Sequence, residues 1–275
     1  MKTTPRKTLD SRKLSELITK HFAETSTEEI WDNLQRLGLT EASNLAIEQF
    51  KSTLVDLIIY CKQNQRDVFD VKKAGFFLEN GNKSPYFITL SEVSEAGKSH
   101  ELYQLMAGYV APAIGKVHRI VGLLKKENTK NAPIFRERIH VAAGVAALLG
   151  KPSCDLVFEK DEQTEEPKLL LDGRLQPNQK VVIVDDVLTT GTNIIRAVEY
   201  LRKQGNEVSD AFVFISRAFG EPLEAIQNQL NGMGVTLDYI IDSRELFDRL
   251  YAGNHVTKKD LEIVYQDEYF RQLQN

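Results

Sequence analysis

The sequence predicts an α/β protein with a parallel β-sheet, preceded by an N-terminal helical extension. Beyond residue 68, short apolar runs alternate with segments of helical periodicity, the order typical of β-α-β units with parallel strands. The apolar runs are continuous, as in strands that are buried on both faces. Residues 9–66 show only helical spacing of apolar side chains. We therefore predict a helical extension over residues 1–66 and an α/β domain over residues 67–275.

The individual elements follow from this periodicity. In the extension, Leu14, Leu17 and Ile18 recur at the spacing of one helical face. A second helix is predicted to begin at residues 26–29, where a Ser and a Thr suited to capping precede two Glu, and to end at Gly38. A further helix is predicted from the apolar spacing within residues 54–59. The α/β domain is predicted to contain strands at residues 120–124, 156–158, 181–184 and 211–215, helices at residues 135–149 and 193–204, and a closing strand and helix within residues 237–251.

The composition is that of a globular protein, with 42% hydrophobic and 27% charged residues. A formal net charge of -4 argues against general nucleic-acid binding, which normally needs a basic face. Cys61 and Cys154 are too few and too far apart for a disulfide framework or a metal site, which indicates a reducing compartment. No apolar run approaches the length of a membrane span, and the polar first residues lack a signal-peptide core. We expect a cytoplasmic protein that binds neither membranes nor nucleic acids.

Residues 181–192, VVIVDDVLTTGT, form the most informative motif. A buried strand is predicted to end at two carboxylates, Asp185 and Asp186, and a Thr/Gly loop then opens an amphipathic helix. The N–H groups, hydroxyls and positive helix dipole of such a loop suit a phosphate, and the carboxylates can accept hydrogen bonds from the hydroxyls of a ribose. The alternative is an ordinary strand-to-helix turn with capping residues. The coincidence of all three features in register favours a ribose phosphate site.

This motif resembles the phosphoribosyl pyrophosphate (PRPP) motif of the type I phosphoribosyltransferases, and the resemblance implies their fold. It implies that the acidic pair holds the 2- and 3-hydroxyls of the ribose and that the loop holds the 5-phosphate. Mg²⁺ is the implied cofactor, which Asp185 and Asp186 would meet indirectly through the ribose. The implied PRPP-binding residues are Asp185, Asp186, Val187, Leu188, Thr189, Thr190, Gly191 and Thr192.

A second segment bears on the acceptor of the ribose phosphate. Residues 76–87, FFLENGNKSPYF, resemble the N-terminal signature of the orotate phosphoribosyltransferases, in which an aromatic residue packs on the pyrimidine. Tyr86 and Phe87 offer flat apolar surface for such packing. The resemblance implies base-binding roles for Phe87 and Lys83. A β-hairpin with core aromatics is the alternative interpretation.

A third segment, residues 210–220, is an apolar strand that ends at Arg217. The orotate enzymes have a strand ending in an arginine at this place, after the PRPP helix, and that arginine binds the carboxylate of orotate. A guanidinium suits this role because it makes a bidentate, charge-assisted contact. The alternative is a solvated surface arginine. The register of Arg217 favours the binding role.

The sequence departs from the orotate enzymes at two positions near the implied base site and pyrophosphate site. Glu79 stands where the family has a lysine, and a carboxylate there repels both orotate and pyrophosphate. Lys83, four residues later, offers partial compensation. The stretch that corresponds to the pyrophosphate loop, residues 122–133, is longer than in the family but keeps a lysine, Lys130, three residues before its proline.

The largest departure is at the mobile catalytic loop. The family has a basic run there, whose cations stabilise the departing pyrophosphate across a dimer interface. Residues 159–168, EKDEQTEEPK, keep Lys160 and Lys168 but hold five carboxylates. Because departure of pyrophosphate depends on neutralising cations, this reversal bears on turnover.

The resemblance as a whole implies a homodimeric orotate phosphoribosyltransferase-like enzyme. It would transfer the ribose-5-phosphate of PRPP to orotate, or to a related base, and release pyrophosphate. The candidate catalytic residues are Asp185, Asp186 and Lys130. The alternative, favoured by Glu79 and the acidic loop, is a non-catalytic sensor that binds PRPP or a nucleotide.

Overall fold

The computed structural model describes residues 40–77, 83–125, 141–160 and 167–265. The chain divides into two compact units, residues 1–46 and residues 47–275. The helices predicted around Leu14 and over residues 26–38 lie outside the described residues.

Most of the described helices lie where apolar residues recur at helical spacing; the five-residue helix α2 is too short to show it. They are α1 (Thr40–Gln63), α2 (Ser91–Glu95), α3 (Ser99–Val110), α4 (Val141–Leu148), α5 (Thr192–Lys203), α6 (Glu221–Gly232), α7 (Ser243–Ala252) and α8 (Lys258–Tyr265). The described strands are β1 (Phe69–Phe77), β2 (Lys83–Ile88), β3 (Arg119–Lys125), β4 (Ser153–Lys160), β5 (Pro167–Asp172), β6 (Lys180–Leu188), β7 (Glu207–Ser216) and β8 (Thr236–Asp242). No helix among them combines the length and the apolarity that a membrane crossing requires.

Six strands form one sheet in the order β5-β4-β3-β6-β7-β8. The five strands β4, β3, β6, β7 and β8 are parallel, which confirms the predicted fold class. The edge strand β5 pairs antiparallel with β4, an arrangement that the periodicity did not predict. The strands β1 and β2 form a separate antiparallel hairpin.

The central strands are buried on both faces, as their continuous apolar sequence predicts. In β6, Val182 and Val184 belong to one core, which they share with α1, α3, α4 and α7. Val181 and Ile183, which point to the opposite face, belong to a second core with α5 and α6. The sheet is therefore a middle layer between two layers of helices, and only the ends of its strands are available for a ligand.

The second half of α1 is part of the first core. Leu54, Ile58 and Cys61 are fully buried there, together with residues of the sheet. The compact units accordingly divide between residues 46 and 47, whereas the sequence prediction drew its boundary between residues 66 and 67. The assignment of residues 1–66 to an N-terminal helical extension stays a prediction.

Helix α1 also forms ion pairs with α7. The Lys51 ammonium lies 2.8 Å from a Glu245 oxygen, and the Arg249 guanidinium lies 2.6 Å from a Glu48 oxygen. These side chains are partly exposed, so each pair contributes on the order of 0–1 kcal/mol. Burial of the apolar face of α1 contributes more, at about 1.5–3 kcal/mol for each fully buried large side chain.

Candidate functional site

The strand order reverses between β3 and β6. From β3 the chain continues to β4 on one side, and it later returns to β6 on the other side of β3. In open α/β sheets, ligands bind in the crevice at the carboxyl ends of the strands at this reversal. The last β3–β6 partners are Gly122 and Val184, and Asp185 and Asp186 come directly after Val184. The acidic pair therefore lies at the mouth of the crevice.

The prediction that the strand ends before the acidic pair is wrong. Although β6 leaves β3 after Val184, it stays paired with β7 as far as Leu188 and Ser216. Asp185 and Asp186 are thus held in an extended backbone by one neighbour, and successive side chains point to opposite faces.

The two carboxylates are both half-buried and differ in their surroundings. The Asp186 N–H donates to Asp185 Oδ1 at 3.0 Å, and the Val187 N–H donates to Asp186 Oδ1 at 2.7 Å. Burial raises the pKa of Asp185 well above its usual range, and the negative charge of Asp186 raises it further. The hydrogen bond from the Asp186 N–H opposes this rise. A polyol that donates hydrogen bonds to these oxygens would stabilise the ionised form.

Residues 189–192 connect β6 to α5, and we call them the phosphate loop. Gly191 is the N-cap of α5 and has φ of 73°, a left-handed conformation that favours glycine. It has no side chain to cap the first turn, whose N–H groups suit an anion. The hydroxyls of Thr190 and Thr192 lie 2.9 Å apart beside it. The loop therefore has the donors and the backbone geometry of an anion site.

Arg217 follows β7 and is buried, with 5% of its surface exposed. Its N–H donates to the Leu188 carbonyl at 2.8 Å, which joins it to the last residue of β6. Its Nη2 donates to Ser84 Oγ at 2.6 Å and to the Tyr86 carbonyl at 3.1 Å. Among the described residues, its buried Nε has no hydrogen-bond partner. The alternative of a solvated surface arginine is therefore wrong.

The segment predicted to bind a base forms the β1–β2 hairpin, and this part of the alternative interpretation is confirmed. Tyr86 is fully buried, with its ring 4.7 Å from the Arg217 guanidinium carbon and 5.4 Å from the Phe247 ring. The prediction that Tyr86 offers surface to a ligand is wrong, because its ring is used in the core. Phe87 is half-buried and packs edge-on against Phe76 with ring centroids 4.9 Å apart. It stays the candidate for contact with a base.

A polar cluster that sequence reasoning missed surrounds Arg217. The Tyr86 hydroxyl donates to Ser243 Oγ at 3.0 Å, and the Ser243 hydroxyl donates to the Arg217 carbonyl at 2.9 Å. Ser243 begins α7, directly after Asp242, whose side chain caps that helix. The cap was readable from the sequence, but the contact with Arg217 depends on chain segments far apart and left no local signal.

Several predicted residues lie outside the described residues or have undescribed side chains. Lys130 and Glu79 lie outside the described residues, as do residues 161–166 of the acidic loop. Lys83 begins β2, and only its backbone is described. Within the described ranges, no group of three or more His, Cys, Asp or Glu side chains suits a metal ion. Two carboxylates alone, Asp185 and Asp186, fit a Mg²⁺ ion that takes most of its ligands from substrate oxygens and water and that the pair meets indirectly, through the ribose.

The comparisons with known proteins agree with this geometry. The model of the phosphoribosyl transferase domain matches residues 134–237. The orotate phosphoribosyltransferase of Methanocaldococcus jannaschii is 28% identical over 196 residues, which cover 71% of this chain and 96% of that protein.

Two solved structures share the fold. The Leishmania donovani UMP synthase matches with a TM-score of 0.55 and 19% identity, over 82% of this chain and 42% of that chain. The orotate phosphoribosyltransferase of Aeropyrum pernix matches with a TM-score of 0.50 and 24% identity, over 69% of this chain and 96% of that chain. These likenesses confirm the predicted arrangement of sheet and helices.

Proposed function

We propose that this chain, a member of the phosphoribosyltransferase family, transfers the ribose-5-phosphate of PRPP to orotate or a related pyrimidine acid. The observation that carries the proposal is the position of Arg217. It joins the last residue of the acidic strand, Leu188, to the hairpin residues Ser84 and Tyr86. The donor site and the acceptor site would therefore lie side by side at the carboxyl ends of the central strands.

The donor half of the site is built on β6. Asp185 and Asp186 would accept hydrogen bonds from the ribose hydroxyls. The backbone from Val187 and Leu188 onward, with the hydroxyls of the phosphate loop, would bind the 5-phosphate. These roles are supported by the position of the pair at the crevice and by the glycine cap of α5.

The acceptor half of the site is built on Arg217 and the hairpin. A buried guanidinium binds a carboxylate strongly, because the contact is charge-assisted and shielded from water. Within the part of the chain that the structure describes, the buried Nε of Arg217 donates to no acceptor, which supports a role for it in binding a carboxylate. Phe87 would pack on the pyrimidine ring, and Lys83 would add a positive charge nearby.

The reaction breaks the bond between ribose C1 and the pyrophosphate oxygen and forms a bond from C1 to a ring nitrogen of the base. The electron pair leaves with pyrophosphate, and the acceptor nitrogen gives up its proton. Mg²⁺, when bound, would supply positive charge to the pyrophosphate. Asp185 and Asp186 would orient the ribose and meet the metal only through it. Lys130 would neutralise pyrophosphate charge.

A non-catalytic sensor of PRPP or nucleotide is the second candidate. Glu79 and the five carboxylates of residues 159–168 favour it, because cations are needed where these carboxylates stand. A sensor would keep the donor site and bind PRPP without releasing pyrophosphate.

A homodimer and a cytoplasmic location are also proposed. The family completes its sites across a two-fold interface, and an isologous dimer is the commonest assembly of soluble proteins. Light scattering at micromolar concentration should give twice the monomer mass. A monomeric mass would reject the dimer.

The decisive experiment is an assay of pyrophosphate release from PRPP and Mg²⁺ with a panel of bases. We expect release with orotate and none with uracil, which lacks the carboxylate. The Asp185→Asn, Asp186→Asn double variant is the inactive control. Binding of PRPP without release of pyrophosphate would favour the sensor, and no binding of PRPP would reject both candidates.

A further inference from the structure

The phosphate loop rests directly on helix α6. A Cβ atom built on Gly191 would lie 2.6 Å from Cγ2 of Ile226, closer than such atoms approach in real proteins. The next nearest atom, also of Ile226, would be 3.6 Å away. One methyl group of one side chain therefore meets the loop at its glycine.

We propose that Ile226 is a positioning residue for PRPP. Its Cγ2 methyl holds the backbone of the phosphate loop in the position that binds the 5-phosphate. This inference rests on the proposed function, since it takes residues 189–192 as the donor phosphate site. Ile226 touches no substrate; it acts through the backbone of Gly191.

The surroundings of Ile226 make it a rigid support. It is 7% exposed and belongs to the second core together with Ile194, Leu223 and Leu230. A β-branched side chain in a helix has one strongly preferred χ1 rotamer, so its methyl groups have fixed positions. Close packing of the core transmits any shift of this side chain to what it touches.

Helix α6 also connects this contact to the acceptor side of the site. It begins at Glu221, four residues after Arg217, and Ile226 lies in its second turn. The element that follows the acceptor arginine is thus the one that supports the donor loop. The phosphate loop needs such support because Gly191 is itself the least restrained residue type.

Two substitutions separate the methyl contact from general packing. Ile226→Leu keeps the volume of the side chain but moves its branch from Cβ to Cγ, which removes the Cγ2 methyl. Ile226→Val loses one methylene but keeps Cβ branching and the methyl that faces Gly191. Leu230→Ile, an isomeric change one turn along the same helix, is the matched control for core disturbance.

The first measurement is calorimetric titration of each full-length variant with PRPP and Mg²⁺, and with orotate. We expect the Kd for PRPP to rise on the order of tenfold in Ile226→Leu, because small displacements of positioning groups have large effects. For Ile226→Val and Leu230→Ile, the Kd for PRPP should stay within about twofold of the wild-type value. The Kd for orotate should stay within the same limits in all of them. Packing alone predicts the opposite order, with Val more harmful than Leu.

The second measurement does not depend on ligand. Gly191→Ala introduces the Cβ that collides with Ile226, so it should lower the melting temperature. In the Ile226→Leu background the collision is relieved and only the left-handed backbone cost remains, so the decrease should be smaller. If the decreases in melting temperature caused by Gly191→Ala and Ile226→Leu simply add in the double variant, the Ile226 methyl does not restrict the loop backbone at Gly191. That result would overturn the inference.

The outcomes separate this inference from the proposed function. Equal PRPP affinity in Ile226→Leu and the unchanged chain overturns the positioning role and leaves the proposed function standing. Failure of the unchanged chain to bind PRPP overturns the proposed function and the positioning role with it. Coupled melting temperatures together with a selective loss of PRPP affinity in Ile226→Leu support both.

Discussion

The Nη2 atom of Arg217 lies 2.6 Å from Oγ of Ser84, a residue 133 positions earlier in the chain. Both side chains are buried, and the Ser84 hydroxyl donates in turn to the Tyr86 carbonyl at 2.9 Å. The guanidinium and the hairpin therefore fix each other's positions.

The first prediction concerns Arg217. Arg217→Ala should weaken orotate binding by about 2–5 kcal/mol, the cost of removing one partner of a desolvated charge pair. PRPP affinity should hardly change, because the phosphate loop is a separate segment. Calorimetry with orotate, PRPP and uracil measures all three affinities. Arg217→Lys is the control that keeps the charge but loses the fork of donors.

The same variant should also be less stable. Arg217→Ala removes the buried donor to Ser84 and Tyr86, a loss of about 1–3 kcal/mol in the free energy of unfolding. Orotate titrations should therefore be made well below the melting temperature of the variant. Equal orotate affinity in Arg217→Ala and the unchanged chain would remove the pyrimidine-acid assignment.

The second prediction concerns the role of Asp185 and Asp186 in binding PRPP. Asp185→Asn together with Asp186→Asn should abolish PRPP binding, because amides replace the charged acceptors for the ribose hydroxyls. The fold should persist, since removing two adjacent like charges relieves repulsion. Calorimetry and circular dichroism provide the two measurements. Undiminished PRPP affinity in the double variant would contradict the donor-site assignment.

The third prediction concerns stability against pH. The pKa of Asp185 is raised by burial and by Asp186, so the folded state holds this proton more tightly than the unfolded state does. Stability should consequently fall as pH rises from 3.8, the ordinary pKa of an aspartate, through the folded pKa of Asp185. Asp185→Asn should have the higher melting temperature at pH 7, and the gain should vanish toward pH 3.8. Asp56→Asn, at an exposed position of α1, is the control.

The sequence was informative where structure depends on local pattern. The strand at residues 181–184 and the helix that follows it were predictable, because continuous apolar runs and helical spacing are local properties. The end of β6 was not, because its pairing with β7 continues through two carboxylates. The short run of residues 167–172 gave no sign of an antiparallel edge strand. The bond between Arg217 and Ser84 joins distant segments, and no periodicity encodes it.

The fourth prediction tests whether α1 is part of the core. Ile58 is fully buried, so Ile58→Ala should lower the free energy of unfolding by about 2–5 kcal/mol. Ile47, in the same helix, is 36% exposed, and Ile47→Ala should change it by no more than about 0.5 kcal/mol. Urea denaturation measures both. Equal effects would mean that α1 does not share the core of the sheet.

The fifth prediction concerns the cysteines. Burial raises the pKa of the Cys154 thiol to about 11, and it also raises the pKa of Cys61. At pH 8 only about one Cys154 in a thousand is then a thiolate, the reactive form. Iodoacetamide should leave both residues unmodified in the native protein and label both in urea, as mass spectrometry would show. Rapid labelling of native Cys154 would contradict its burial.

The anchoring of Tyr86 has a consequence for the order of assembly. Among the strands that the structure describes, the hairpin pairs with none of the six-stranded sheet, and the Tyr86 hydroxyl reaches Ser243, 157 residues later. Contacts between such distant segments close a longer loop than local contacts do, so we expect them to form later in folding. We expect the acceptor half of the site to be completed last and to exchange its amide hydrogens first. The acidic strand, held between neighbours in the middle of the sheet, should already be protected while the hairpin is still undocked.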